Sequence, residues 1–294
     1  MKILITGGEG NIGKRLVPKL MELKHTITLL LRQNKLSSDR LVKIVKGDLL
    51  NQESLLKATE NIDLVVHLAG ITHTNNKELY YNVNTKGTKN LITACQKNKV
   101  KKFIYISSRT AGIDGGAYAH SKLLAEGEVK KSSMDWIILR VAEAYGASEK
   151  EAITRLIKTI KKVFFVPIIG NGQYTLAPVY VEDVVSAIIA CLDINISKKI
   201  YIIAGPDEIT YNELVDKILS YSKLKRIKIH IPILFFKIIT FVFFIFKKDI
   251  LVRDQIPRLM SKKSSDIKDA HKDLHFSPIT FEQGLGIILG NNEL

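Results

Sequence analysis

The sequence predicts an α/β protein built on a doubly wound parallel sheet, with a smaller mixed α/β lobe after it. Short aliphatic and β-branched runs alternate with helix-length segments through the first half of the chain. Those runs are continuously apolar, as strands buried on both faces must be, and do not alternate as half-exposed strands do. The composition, 46% hydrophobic and 25% charged over 294 residues, is that of a folded chain with a sizeable core and excludes disorder.

The expected strands are Lys2–Thr6, Thr26–Leu31, Leu41–Lys46, Asp63–Leu68, Phe103–Ser107 and Trp136–Arg140. Between them, Gly13–Lys24, Lys86–Asn98 and Ser121–Lys131 have helical length. After about Tyr145 the regular alternation stops. Glu149–Lys162 and Glu182–Leu192 read as helices and Lys199–Ile203 as a strand. Thr210–Ser222 reads as a helix capped by Thr210, with Glu213 three residues on. Ile227, Ile229 and Ile231 alternate with Lys228 and His230, which predicts a strand with one wet face, and Thr280–Leu289 predicts a closing helix. The expected division is a first domain of residues 1–146, joined again by about 175–198, and a second lobe of 147–174 and 199–294.

The formal charge is +15, from 44 Lys and Arg against 29 Asp and Glu. Only nine of those cations are Arg, the residue best suited to bidentate phosphate and base contacts, so no nucleic-acid partner is expected. The lysines are scattered, and most read as solvated surface. Cys95 and Cys191 are too few for a disulfide scaffold and have no metal spacing, so no metal is expected. The opening MKILITGG shows no secretory leader, and the expectation is a cytoplasmic protein.

The first strand runs straight into Gly7-Gly8-Glu9-Gly10-Asn11-Ile12-Gly13, and a helix follows. Glycines at 7, 10 and 13 allow a sharp turn, bring backbone N–H groups close to a pyrophosphate and let the helix pack on the strand. The helix N-terminus supplies the partial positive charge. This is a Rossmann-type arrangement.

With Thr6 before it, the loop resembles the TGxxGxxG loop of the extended short-chain dehydrogenase/reductase family, and further motifs follow in that family's order. Gly47-Asp48-Leu49 is similar to its adenine contact, and His67-Leu68-Ala69-Gly70 to the backbone that passes the nicotinamide-side ribose. Asn84-Thr85-Lys86-Gly87-Thr88 matches NVxGT, Tyr118-Ala119-His120-Ser121-Lys122 matches YxxxK, and Val179–Val184 matches VHVxDV. The resemblance implies cofactor contacts from Gly7, Gly10, Asn11, Ile12, Gly13, Asp48, Leu49, Leu68, Ala69, Gly70, Asn84, Tyr118 and Lys122. It also implies that Ser108 orients a substrate oxygen.

An acid at the end of the second strand would bind the ribose hydroxyls of NAD, whereas a basic residue accommodates the 2′-phosphate of NADP. Here the strand ends Leu30-Leu31-Arg32, and Lys14 and Lys35 stand ready to add charge, so NADP is favoured over NAD. A Tyr and a Lys four apart share one helix face. A phenol with a pKa of about 10 needs an adjacent cation to work as a base at neutral pH. Tyr118 is therefore the expected proton donor or acceptor, and Lys122 its electrostatic partner.

The resemblance also sorts the reactions. Sugar dehydratases carry an acid pair beside the serine, whereas here Arg109 and Thr110 follow Ser108, which disfavours elimination. Epimerisation or keto-sugar reduction on a nucleotide-activated sugar is the leading expectation. A non-catalytic NADP-binding subunit and a reductase of a lipid-like or steroid-like ketone are the rivals. His73 and Glu143 are candidate substrate contacts, and Arg155, Lys158, Lys162, Arg253 and Arg258 are candidates for a diphosphate. The apolar stretch Ile231–Phe246, followed by Lys247-Lys248, is too short at about 1.5 Å per residue to span a bilayer. Three readings stay open for it: a buried helix, a homodimer or partner interface, or peripheral membrane contact through 231–248.

Overall fold

The computed structural model describes residues 1–32, 42–146, 148, 151–236, 238 and 254–290. Lys35, Arg253, Lys247, Lys248 and most of the apolar stretch lie outside the described residues.

Seven strands form one parallel sheet: β1 (Lys2–Thr6), β2 (Thr26–Leu31), β3 (Val42–Lys46), β4 (Leu64–His67), β5 (Lys102–Ser108), β6 (Asp135–Val141) and β11 (Lys199–Ile203). Their order is β11-β6-β5-β4-β1-β2-β3, so the chain reverses its direction of winding between β1 and β4. Ligands bind at such a switch point, outside the carboxyl ends of the strands.

The apolar runs are explained by burial on both sides. In β1, Ile3 and Ile5 join one core with Leu16 and Leu20 of α1 (Asn11–Glu22) and with Val184 and Ile188 of α7 (Val181–Asp193). Leu4 points the other way, into a core with Leu55 of α2 (Gln52–Thr59) and Leu91 of α4 (Gly87–Lys97). That second core also holds Val129 of α5 (Gly116–Lys130). Cys191 and Cys95 are filler in the first and second core respectively, both fully buried. Burial pushes both thiols up, Cys191 to about 12.

A short helix α3 (Lys77–Tyr80) runs through a π-helical turn, Tyr81–Lys86, into α4. A third core lies in the smaller lobe. There α6 (Ala152–Lys162), α8 (Tyr211–Tyr221) and α11 (Phe281–Gly290) pack around β8 (Phe165–Ile169), which pairs in parallel with β13 (Ile227–Ile231). Short pairs complete the lobe junction: β7 (Ala144–Tyr145) with β10 (Val179–Tyr180), and β9 (Thr175–Leu176) with β12 (Ile209–Thr210). Thr210 and Glu213 form the expected reciprocal capping box at the start of α8.

Three sequence expectations are corrected. Residues 199–203 are not part of the second lobe: β11 pairs with β6 along its whole length, and Ala270 and Leu274 of α10 (Lys268–Leu274) close the core behind it. The helix expected from Ser121 begins at Gly116, which brings Tyr118 into its first turn. The apolar face of β13 is itself wet. Ile227 and Ile229 are exposed, while on the other face half-buried Lys228 bonds Asp216 of α8 at 2.7 Å and His230, also exposed, bonds Asn212 at 3.2 Å.

Candidate active site

The glycine loop is shaped by close approach. Gly7 has φ +75°, and a Cβ there would lie 2.7 Å from the Ala69 nitrogen; at Gly13 it would lie 2.6 Å from the Gly7 carbonyl oxygen. The loop thus rests directly on β4's exit and on its own helix. Gly10 is the N-cap of α1 and has no side-chain cap, and the first turn carries no acid, so its N–H groups are available to an anion. The Asn11 amide oxygen accepts from Arg15 one turn further along α1. The shape and donor set of this loop fit the pyrophosphate of a dinucleotide.

A directed hydrogen-bond chain joins three of the motifs. The Thr88 hydroxyl donates to the Asn84 carbonyl, so it accepts from His67 Nε2 at 2.9 Å. His67 Nδ1 then accepts from the Thr6 hydroxyl at 2.6 Å, and Thr6 accepts from the Ala69 N–H at 3.3 Å. Burial pushes the His67 imidazole down to about 3, with the Lys122 charge adding to the effect, so it stays neutral and keeps this tautomer. The Thr6, His67 and Thr88 side chains therefore set the path of the Leu68–Gly70 backbone.

Asn84 has a scaffolding role. Its amide oxygen accepts from the Ile71 N–H, and its nitrogen donates to the Ile71 carbonyl and the Ser121 hydroxyl. It holds the loop after β4 against α5, with both amide N–H donors used and one oxygen lone pair left. Asp48 uses one carboxylate oxygen to accept from the Leu50 N–H, and buried Leu49 packs against Gly87. Arg32 is exposed at the end of β2.

The candidate catalytic groups converge at the end of β5. Ser108 is its last residue, and its hydroxyl lies 2.9 Å from that of Thr110. Lys122 Nζ donates to the Ile106 carbonyl at 2.7 Å, sits 4.2 Å from the Tyr105 ring centroid and approaches the loop at Gly70. Burial pushes its ammonium down to about 7, while the Glu126 charge opposes that shift. Tyr118, Lys122 and Glu126 follow at intervals of four along one face of α5. Glu126 is wholly buried, accepting from Ser107 at 2.6 Å and from two Arg140 nitrogens at 2.8 and 2.6 Å. Glu126 was missed by motif reading, although its i+4 spacing from Lys122 was a visible signal.

The short connection from Ser108 to Tyr118 is covered by a distant segment. The α5 N-terminus has no side-chain cap of its own. Asp254 supplies one across the fold, accepting from the Ala117 N–H at 2.6 Å and the Tyr118 N–H at 3.1 Å. On the following helix, α9 (Gln255–Met260), the Arg258 guanidinium lies over the Tyr118 ring at 4.2 Å and donates to the Thr72 carbonyl. Tyr118 also meets Tyr80 edge-on, and both Tyr118 and Ser108 are only 9% exposed.

Of the other substrate candidates, His73 lies next to Thr72 on the loop that Arg258 holds. The Glu143 carboxylate is engaged by Arg109 Nη2 at 2.9 Å and by the Ala177 N–H at 3.2 Å, with Lys263 at 3.9 Å. Arg109 in turn donates to Ser265, and its buried Nε has no partner among the described residues. Glu143 thus ties the C-terminal segment and the turn before β10 to the end of β5. Arg155 is exposed on α6, and no contact joins it to these groups. Among the described residues no cluster of His, Cys, Asp and Glu is fit to hold a metal ion.

A parallel sheet with a phosphate-ready glycine loop at its switch point, and a Tyr–Lys pair on the helix after β5, defines a Rossmann-type member of the short-chain dehydrogenase/reductase class. More particularly, the chain belongs to the NAD dependent epimerase/dehydratase family, whose model matches residues 3–204. It is 27% identical over 259 residues to the mouse (Mus musculus) sterol-4-alpha-carboxylate 3-dehydrogenase, decarboxylating, covering 79% of this chain and 71% of that one. It is 25% identical to the UDP-glucose 4-epimerase of Vibrio cholerae, covering 94% and 90%. The fold is similar to that of the UDP-glucuronic acid 4-epimerase from Bacillus cereus in complex with UDP-glucuronic acid and NAD. There the TM-score is 0.78 at 23% identity, over 99% of this chain and 100% of the other.

Proposed function

We propose that this protein is an NAD(P)-dependent oxidoreductase or epimerase acting on a nucleotide-activated sugar. The observation that carries the reading is the Tyr118–Lys122–Glu126 face set against Ser108 and the phosphate-ready loop. A bound nicotinamide dinucleotide supplies the hydride donor or acceptor. Tyr118 moves the proton on the substrate oxygen, Ser108 orients that oxygen, and the Lys122 ammonium stabilises the phenolate. Beside Ser108 no carboxyl group is free for elimination: Arg109 is locked to Glu143, and Thr110 bonds Ser108. This favours epimerisation or keto-sugar reduction over dehydration.

The test is turnover of UDP-, GDP- and dTDP-hexoses and their 4-keto forms, following both NAD(P)H absorbance and product sugar, because an epimerase regenerates its cofactor. Cofactor binding with no turnover on the whole panel would reject the reading. A second reading, reduction of a lipid-like ketone, is favoured by the similarity to a sterol-carboxylate dehydrogenase. Turnover of a 3-ketosteroid in the absence of any sugar turnover would select it.

NADP is the proposed cofactor because Arg32 stands, with no acid beside it, where the second strand ends. A charge-assisted contact of this kind contributes roughly 1.5–3 kcal/mol. Arg32→Ala is therefore expected to weaken NADPH binding about 10- to 100-fold by titration calorimetry and to leave NADH binding unchanged. Equal NADPH affinity before and after the substitution would assign the site to NAD.

A further inference from the structure

The β8–β13 ladder has one buried and one uncovered face. Register places Ile227 opposite Phe165 and Ile229 opposite Pro167, so their side chains share a face. That face looks outward: Phe165 is 53% exposed, Ile227 50% and Ile229 43%. Phe164 at its edge is 58% exposed, and beyond the ladder Leu234 and Phe235 are 68% and 60% exposed. Side chains of this size, half in water, leave on the order of 100 Å² each, so together they match or exceed the largest apolar patch of a typical monomer, about 300–600 Å².

The charge around this face is one-sided. Residues 152–169 and 217–236 contain nine Lys or Arg and no Asp or Glu, and the acids beside them, Asp216 of α8 and Glu282 of α11, are paired with Lys228 and Lys217. Exposed Lys161 and Lys162 lie just before Phe164, separated from it by Val163. Arg226 bonds the Ile160 and Lys161 carbonyls, which sets exposed Lys225 at the same end of the ladder. An apolar face rimmed chiefly by lysines matches the surface of an anionic bilayer, where apolar side chains enter the acyl boundary and cations meet the headgroups. A second copy fits poorly, since face-to-face contact would bring two lysine-rich rims together. Among the described residues no helix is long and apolar enough to cross a membrane.

We propose that the outer face of the β8–β13 ladder, with Phe164, Leu234 and Phe235, docks the enzyme on an anionic lipid surface. This goes beyond the proposed reaction and does not depend on it. Each lysine held near such a surface strengthens binding about fivefold at moderate salt.

Flotation of the full chain tests the proposal, with vesicles of phosphatidylcholine alone and of phosphatidylcholine containing about one-third phosphatidylglycerol. The expected result is flotation with the anionic vesicles only, weakened by salt. At least a tenfold loss of partitioning is expected in both Phe164→Ser/Phe165→Ser and Lys161→Glu/Lys162→Glu, with thermal midpoints unchanged because all four side chains are exposed. Three results would each overturn it: no flotation with anionic vesicles, undiminished flotation of the phenylalanine variant, or a dimer in light scattering that the phenylalanine variant dissolves.

Discussion

Replacing Tyr118 with phenylalanine is expected to lower turnover by about 10²–10⁴-fold, the usual contribution of a positioned acid or base. Dinucleotide affinity should change little. The ring keeps its edge-on contact with Tyr80 and its stacking under Arg258, both of which involve the ring and not the hydroxyl. Active-site titration of the cofactor beside steady-state turnover of the productive substrate makes the comparison. A variant that retains full activity would remove Tyr118 from the chemistry. A variant that loses cofactor binding in parallel would make its role structural.

The second large effect is expected at Glu126. Its carboxylate is wholly buried between Ser107 and Arg140, so Glu126→Ala leaves a partly buried guanidinium without its partner and should cost about 3–5 kcal/mol in denaturant unfolding. A loss below about 1 kcal/mol would mean that Arg140 simply turns to water. Glu126→Gln separates packing from charge. Its charge opposes the burial that pushes the Lys122 ammonium down to about 7, so in the Gln variant Lys122 should titrate lower still. Carbon-detected NMR of the lysine side chain reads this directly, and a purely structural Glu126 would leave it unmoved.

The same depressed value has a consequence for stability. The folded state holds fewer protons than the unfolded chain between pH about 7 and the ordinary lysine value of about 10.4. The cost of burying Lys122 is therefore full below pH 7 and fades as pH rises through that window. Against Lys122→Met, the unmodified protein should gain stability with pH by at most about 1.4 kcal/mol per unit. A difference that stays flat from pH 7 to 9 would show that Lys122 remains charged in the folded protein.

The parts of the site that were readable beforehand are those written in short stretches of chain. The glycine loop and the YxxxK spacing are local, and each sits where its motif put it: between β1 and α1, and on α5 after β5. Reading failed where a local signal was overruled from a distance. The helix expected from Ser121 starts at Gly116, and the cap on that first turn comes from Asp254. Motif reading also did not show the internal partners of two site candidates: Glu143 accepts from Arg109 and Ala177, and Asn84 pins Ile71 to Ser121.

Periodicity and apolar runs were enough to establish the doubly wound sheet, because a strand buried on both faces has no alternative composition. The motifs, taken in their order along the chain, carried the resemblance to the family. The neighbours of each charged group required the folded chain. Asp254 reaches the Tyr118 backbone across 136 residues of sequence, and Arg258 its ring from farther still, and nothing in a local window reports such pairings. The outward face of β13 was settled in the same way. Alternation shows that a strand has two unlike faces, but only the bonds of Lys228 and His230 to Asp216 and Asn212 of α8 decide that the isoleucines face away from that helix.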